Sequence, residues 1–89
     1  MKEEKLNELE SIGWIHEALD PIEEYMISWK KKWASVEVLH NGEGGWNILL
    51  YHEDNNEPIA QIGEKVTNHQ TALSIAINFM KNFDPFETI

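Results

Sequence analysis

Residues 36–63 alternate apolar and polar side chains around two polar turns, in the sequence VEVLHNGEGGWNILLYHEDNNEPIAQIG. A period of two places successive side chains on opposite faces of a strand, so this segment predicts an antiparallel sheet. The glycines of NGEGG suit a turn that needs positive φ angles, and the Asp and Asn residues of EDNNE tolerate left-handed backbone. We expect three strands, at residues 34–40, 46–51 and 58–62.

The first turn also determines which side chains of the hairpin share a face. With the turn centred on the glutamate of NGEGG, Val38 lies opposite Ile48 and Val36 lies opposite Leu50. Together with Trp46 these residues form one apolar face, which we expect the last helix to cover.

The opposite face of this hairpin is too apolar to be fully solvated and too polar to be core. It carries Glu37, Leu39, Asn47, Leu49 and Tyr51. Two interpretations stay open at this point. Either the N-terminal helices cover part of the face, or a binding partner covers it.

The segment TNHQTALSIAINFMKNF, residues 67–83, predicts the C-terminal helix. Thr67 followed by Gln70 is typical of a capping box at the start of a helix. A stripe with helical spacing then follows, formed by Ala72, Ala76, Phe79 and Phe83. Asp84 and Pro85 end the helix, because the residue before a proline disfavours helical backbone.

The N-terminal third of the chain predicts two helices. Residues 2–12 carry a narrow apolar stripe, with Gly13 as the residue that follows the helix and Trp14 folding back onto it. A single longer helix that continues to Leu19 is the alternative.

The second predicted helix covers residues 20–33, DPIEEYMISWKKKW. Asp20 suits the cap and Pro21 suits the first helical position. The β-forming residues of YMISW support a strand instead, and we favour the helix because of its start signal. The prediction is an α+β fold of order α-α-β-β-β-α, with N-terminal helices, a three-stranded antiparallel meander and a C-terminal helix packed on the sheet.

Length, cysteine content and hydropathy indicate one small domain in the cytoplasm. The chain has 89 residues, which we assign to a single domain over residues 1–89, and it has no cysteine. A secreted domain this small would ordinarily need disulfides. The N-terminus MKEEKLNELE is charged, unlike a signal peptide, and no apolar run approaches the ~20 residues of a membrane span.

The chain is strongly acidic. Sixteen acidic residues against seven lysines give a formal net charge of −9, and arginine is absent. A field of this sign repels nucleic-acid phosphates and anionic lipids and attracts basic protein surfaces. The use of lysine without arginine, with much Ile and Asn, is typical of AT-rich genomes such as those of low-GC bacteria and their phages.

No catalytic or metal-binding pattern is present in the sequence. The four histidines lack the HxH, HxxxH and HExxH spacings, and His40 and His52 fall at opposite ends of one hairpin face. The glycines of GEGG join two strands, whereas a phosphate-binding loop opens a helix. Neighbouring carboxylates such as Glu23 and Glu24 are expected to be solvated. We therefore expect no enzyme activity, no cofactor and no metal.

Between residues 21 and 83 the predicted order α-β-β-β-α, closing on IGEKVTNHQTALSIAINFM, resembles the double-stranded-RNA-binding domain. In that family, lysines at the start of the last helix bind phosphates. The matching positions here, Thr67–Gln70, include no lysine, and only Lys65 lies nearby. The resemblance therefore implies a fold of this kind that has lost nucleic-acid binding and acts as a dimerising scaffold.

The residues themselves favour a small acidic, non-catalytic protein-binding module. It would be a phage or mobile-element inhibitor or regulator that engages a basic, nucleic-acid-binding surface of a partner protein, without direct nucleic-acid or membrane binding. A homodimer is compatible with this hypothesis. The alternatives are a charge that only confers solubility and, more weakly, RNA binding through Lys30–Lys32. The candidate partner-binding residues are Glu17, Glu23, Glu24, Glu37, Trp46, Leu49 and Tyr51.

Overall fold

The computed structural model of the chain describes residues 9–17 and 26–85. Five strands in these ranges form one antiparallel sheet, in which neighbours in the chain are neighbours in the sheet. The strands are β1 (Ile15–Glu17), β2 (Met26–Lys31), β3 (Ala34–His40), β4 (Trp46–His52) and β5 (Ala60–Val66). A C-terminal helix, α1 (His69–Asn82), packs on β3, β4 and β5. The fold is therefore α+β.

The central hairpin has the predicted register. Val36 lies opposite Leu50, and Val38 lies opposite Ile48. The bounds of β3 are confirmed, and β4 extends one residue past the predicted end. The last strand is expected at residues 58–62 and lies instead at Ala60–Val66, where its pairing with β4 shifts register twice.

The prediction of a three-stranded sheet behind two N-terminal helices is wrong. Residues 26–31, expected in the second helix, form β2, and its Ile27 and Trp29 lie opposite Val38 and Val36. This segment forms a strand in preference to a helix because its β-forming residues can pair with the free edge of β3, where their backbone groups find hydrogen-bond partners. Lys32, with a φ of 54°, makes the tight turn into β3.

The same finding removes the basis of the resemblance to the double-stranded-RNA-binding domain. That resemblance required a helix directly before the first hairpin, and β1 and β2 occupy this position instead. The sheet has five strands, where the predicted order has three.

Residues 9–11 are helical, and the chain leaves this helix at Gly13, just before β1. The Gly13 amide donates to the Glu10 carbonyl at 3.1 Å, and the Trp14 amide donates to the Leu9 carbonyl at 2.9 Å. Gly13 has a φ of +102°, which completes a Schellman motif with a Leu9–Trp14 apolar pair. The longer helix through Leu19 is wrong, because β1 follows Trp14. The rest of the first predicted helix, residues 2–8, lies outside the described residues.

One face of the sheet carries the core, and we call it the helix-covered face. Trp14 also packs there, and its indole Nε1 donates to the Met80 carbonyl at 3.2 Å, which ties the N-terminal segment to α1. The helix is capped by Asn68, not by Thr67 as predicted, because the Asn68 side chain accepts from the Thr71 amide. The buried residues of the sheet and helix include Ile27, Trp29, Val36, Val38, Ile48, Leu50, Ala72, Ala76, Ile77 and Met80.

The close approach of α1 to β5 depends on Gly63. A Cβ atom at this position would lie 2.9 Å from Cδ1 of Ile48 and 3.7 Å from Cγ2 of Ile75. Ile48 is fully buried between sheet and helix, so it has little room to give way.

We expect Gly63→Ala to lower the free energy of unfolding by about 1–3 kcal/mol, because it overpacks this layer. Ile48→Val removes the Cδ1 atom that the new methyl group would meet. The double variant should therefore lose less stability than the sum of the two single variants, measured by urea unfolding as a double-mutant cycle. Additive losses would contradict this account of the contact.

Candidate functional site

α1 packs on one face of the sheet, and we call the opposite face the helix-free face. Strand register assigns its side chains, because residues directly opposite each other in a sheet share a face. They are Ile15, Glu17, Met26, Ser28, Lys30, Ser35, Glu37, Leu39, Asn47, Leu49, Tyr51 and Gln61. The face combines carboxylates, aliphatic side chains and one tyrosine.

One row of side chains crosses all five strands of this face. Its members in order are Glu17, Ser28, Glu37, Leu49 and Gln61. Directly opposite residues of antiparallel strands have Cα atoms about 4.5–5.5 Å apart. The side chain of each member of the row can therefore contact the side chain of the next. The pairing of β1 and β2 brings Glu17 into this row, although it lies 20 residues before Glu37 in the chain.

Four of the seven predicted partner-binding residues share the helix-free face. Glu17, Glu37 and Leu49 lie in the row, and Tyr51 lies two residues after Leu49 on the same side of β4. Glu23 and Glu24 lie outside the described residues.

Trp46, the remaining candidate, does not share the helix-free face. Trp46 lies opposite His40 on the helix-covered face, where its ring centroid is 5.0 Å from that of His40 and 5.1 Å from that of His69. The period of two in β4 explains this, because it places Trp46 on the same side as the buried Ile48.

Glu37 places a half-buried carboxylate on the helix-free face. The residue is half-buried, and burial raises the pKa of its carboxyl above the ordinary value. The pKa of Tyr51 is raised first by its own burial and then by the charge of Glu37, so the two groups interact. Lys30 is a diagonal neighbour of Glu37, yet the described residues contain no ion pair between them.

Ser28 lies between the two glutamates of the row and is the residue that sequence reasoning missed. It is 1% exposed, and within the described chain its Oγ has no hydrogen-bond partner. A buried hydroxyl without a partner carries a desolvation cost of about 1–3 kcal/mol. No sequence signal could identify it, because a serine in a segment assigned to a helix has neither this burial nor these neighbours.

The other chemistry-bearing groups do not converge. His40 and His52 lie at opposite ends of the helix-covered face as predicted. The ring of His52 stacks on that of Trp33, with 5.1 Å between the ring centroids. Over residues 9–17 and 26–85, no group of three or more His, Asp or Glu side chains could hold a metal ion. No helix in these ranges is long and apolar enough to cross a bilayer.

Comparison with known proteins gives no match for this chain. No protein-family model matches it, no curated protein matches it, and no solved structure matches it. Its function must therefore be inferred from its own residues and their geometry.

We expect Glu37→Gln to raise the free energy of unfolding at neutral pH. Because burial raises the folded-state pKa above the roughly 4.3 of an unfolded glutamate, the unfolded chain ionises first as pH rises. The stability associated with this group is therefore fully present below the unfolded pKa and is lost as pH rises through the folded pKa. The extra stability of the variant over the parent should be absent at low pH. It should grow as the pH rises from the unfolded-state pKa through the folded-state pKa of Glu37, and then stay constant. Urea unfolding at a series of pH values measures this.

Glu43→Gln is the matched control for this series. Glu43 is exposed in the first turn, and its substitution removes the same charge from the same acidic chain. If both substitutions raised the free energy of unfolding equally at neutral pH, relief of general charge repulsion would explain the effect, and burial of Glu37 would not.

We expect Ser28→Ala to raise the free energy of unfolding by about 0.5–1 kcal/mol. The substitution removes a buried hydroxyl that has no partner, and the lower strand preference of alanine offsets only part of this gain. Ser35→Ala, at a half-exposed hydroxyl on the same face, should bring no gain. Thermal and urea unfolding would measure both variants, and a loss at Ser28 would contradict the expectation.

Proposed function

We propose that this chain is a small acidic, non-catalytic protein-binding module that engages a basic surface of a partner protein through its helix-free face. The observation that carries the proposal is the row in which Glu17 and Glu37 share one sheet face with Leu49, beside Tyr51. This face combines charge with apolar and aromatic area on a rigid support.

The composition of the face suits protein recognition. Tyrosine is enriched in the energetically dominant parts of interfaces because its ring packs while its hydroxyl bonds to polar groups. Leu39, Leu49 and Tyr51 are each half-buried, so they offer apolar area to a partner without forming a large exposed patch. A sheet held by four antiparallel pairings presents these side chains with little rearrangement.

The charge of the chain indicates the sign of the partner. A net charge of −9 accelerates association with basic surfaces and opposes association with phosphate groups. Basic protein surfaces commonly bind nucleic acid, so a module of this kind would inhibit or regulate a nucleic-acid-binding partner by covering that surface. The lysine-rich, arginine-free composition supports an origin in a phage or mobile element with an AT-rich genome.

The test is affinity capture from a lysate of the source organism with three tagged baits. They are the parent chain, the double variant Glu17→Gln/Glu37→Gln, and the control Glu43→Gln/Glu53→Gln, which removes the same charge from exposed turns. We expect one basic protein on the parent and control baits, lost from the first double variant and eluted by raising the salt from about 0.1 M to 1 M.

Equal loss from the two double variants would contradict use of the helix-free face. Retention of the partner at high salt would contradict an electrostatic interface. Recovery of only the bait, with light scattering showing a dimer, would favour self-association through the same half-apolar face.

A further inference from the structure

We propose that Glu17, Ser28 and Glu37 together bind a single arginine side chain of the partner protein. The inference rests on the proposed function and specifies which chemical group of a basic surface this face recognises. It concerns three strands, β1, β2 and β3, and residues that are far apart in the chain.

Strand register surrounds the short side chain of Ser28 with longer ones, and we call the space above Ser28 the recess. Ser28 lies opposite Glu17 on one side and opposite Glu37 on the other. Along β2 its neighbours on the same face are Met26 and Lys30. All four neighbours have longer, unbranched side chains, so they rise around the serine and can rotate away from it at small cost. The Cα atoms of the two glutamates are about 10 Å apart, at about 5 Å for each strand pairing.

The hydroxyl of Ser28 indicates that the recess takes a polar ligand. Its Oγ is buried and has no hydrogen-bond partner among the described residues, while the residue is 1% exposed. Buried polar groups are nearly always paired, and an unpaired one needs a reason. A donor group that enters between the glutamates would give this oxygen its missing partner.

Glu37 indicates that the ligand is a cation. Its carboxylate is half-buried, which costs free energy while the group is charged, and the described residues give it no ion pair. A positive group in the recess would offset this cost. Glu17, on the other side of Ser28, would contribute the second carboxylate.

The spacing favours arginine over lysine. A guanidinium group is planar and broad, with five N–H donors that point in different directions, so it can bond two carboxylates on opposite sides and a hydroxyl between them. An ammonium group is a compact point charge that cannot span the same distance. The chain contains no arginine of its own that could compete for the recess.

Lys30 is the cation that strand register places beside both glutamates, and it should oppose binding. It is a diagonal neighbour of both Glu17 and Glu37, and no ion pair joins it to either of them in the described ranges. A second positive charge that enters the recess would meet repulsion from Lys30. Removal of this lysine should therefore strengthen binding. If the cation bound only to the general acidic surface, the position of Lys30 would not matter in this way.

The test is an NMR titration of the full ¹⁵N-labelled chain at low salt with three capped tripeptides: acetyl-Gly-Arg-Gly-amide, its lysine analogue and its neutral citrulline analogue. We expect the arginine peptide to bind with a dissociation constant on the order of 1 mM, with the largest amide shifts at Glu17, Ser28 and Glu37. The lysine peptide should bind about 5-fold more weakly, and the citrulline peptide should not bind detectably.

Four variants then separate the recess from the general charge. Glu37→Gln and Ser28→Ala should weaken the arginine peptide by about 5-fold and about 3-fold, and Lys30→Gln should strengthen it by about 3-fold. The control Glu43→Gln should change it by less than about 2-fold. Both weakening variants are expected to be at least as stable as the parent, so unfolding would not explain their loss, and their NMR spectra check this directly.

Equal weakening by Glu37→Gln and Glu43→Gln, equal binding of arginine and lysine peptides, or shifts that map elsewhere would each overturn the arginine site. A captured basic partner that tolerates Ser28→Ala and Glu37→Gln would likewise overturn the site and leave the proposed function standing. Arginine-peptide binding that depends on Glu37, with no basic partner captured, would support the site and count against the proposed function.

Discussion

The register between β3 and β4 is the constraint on which the two faces of the sheet depend. The Asn41 amide donates to the Gly45 carbonyl at 2.9 Å, and the Asn41 side-chain oxygen accepts from the amides of Glu43 and Gly45. These bonds hold the turn at one length, and the turn length determines the pairing. A slip of one residue would send Val36 to the helix-free face and bring Glu37 into the core.

The rest of the sheet extends this hairpin in both directions, with different consequences. On one side β2 inserts Trp29 opposite Val36, and β1 then adds Glu17 to the row that contains Glu37. On the other side the pairing of β5 with β4 shifts register twice, and Lys65 has a φ of 55°. Such irregularities disrupt the regular ladder of an outer strand and so discourage further strand addition there. The face of the sheet is therefore a better candidate for recognition than its β5 edge.

How much of this could be predicted depends on whether the information is local. The β3–β4 register follows from alternation and a short turn, so the placement of Glu37, Leu49 and Tyr51 on one face was accessible from sequence. The secondary structure of residues 26–31 could not be predicted from sequence, because the capping residue Asp20 favours a helix and the β-forming residues at 25–29 favour a strand. Only pairing with β3 decides between them, and Ser28 acquires its position between two glutamates only after that pairing.

The difference between the two faces argues against solubility as the sole role of the acidic residues. Carboxylates that keep a protein soluble work best in water, and Glu43, Glu53 and Glu57 are exposed in turns. Glu37 is half-buried in the middle of a sheet, where its charge is costly and contributes less to the outer field.

A threonine or valine at position 37, and another at position 28, would pair well across strands without either desolvation cost. Two unfavourable polar groups side by side on one face are typical of a site that is completed by a ligand, because binding supplies the missing partners. Stability alone accounts for the helix-covered face. It does not account for the recess formed by Glu17, Ser28 and Glu37, whereas the proposed recognition of a positively charged group would account for it.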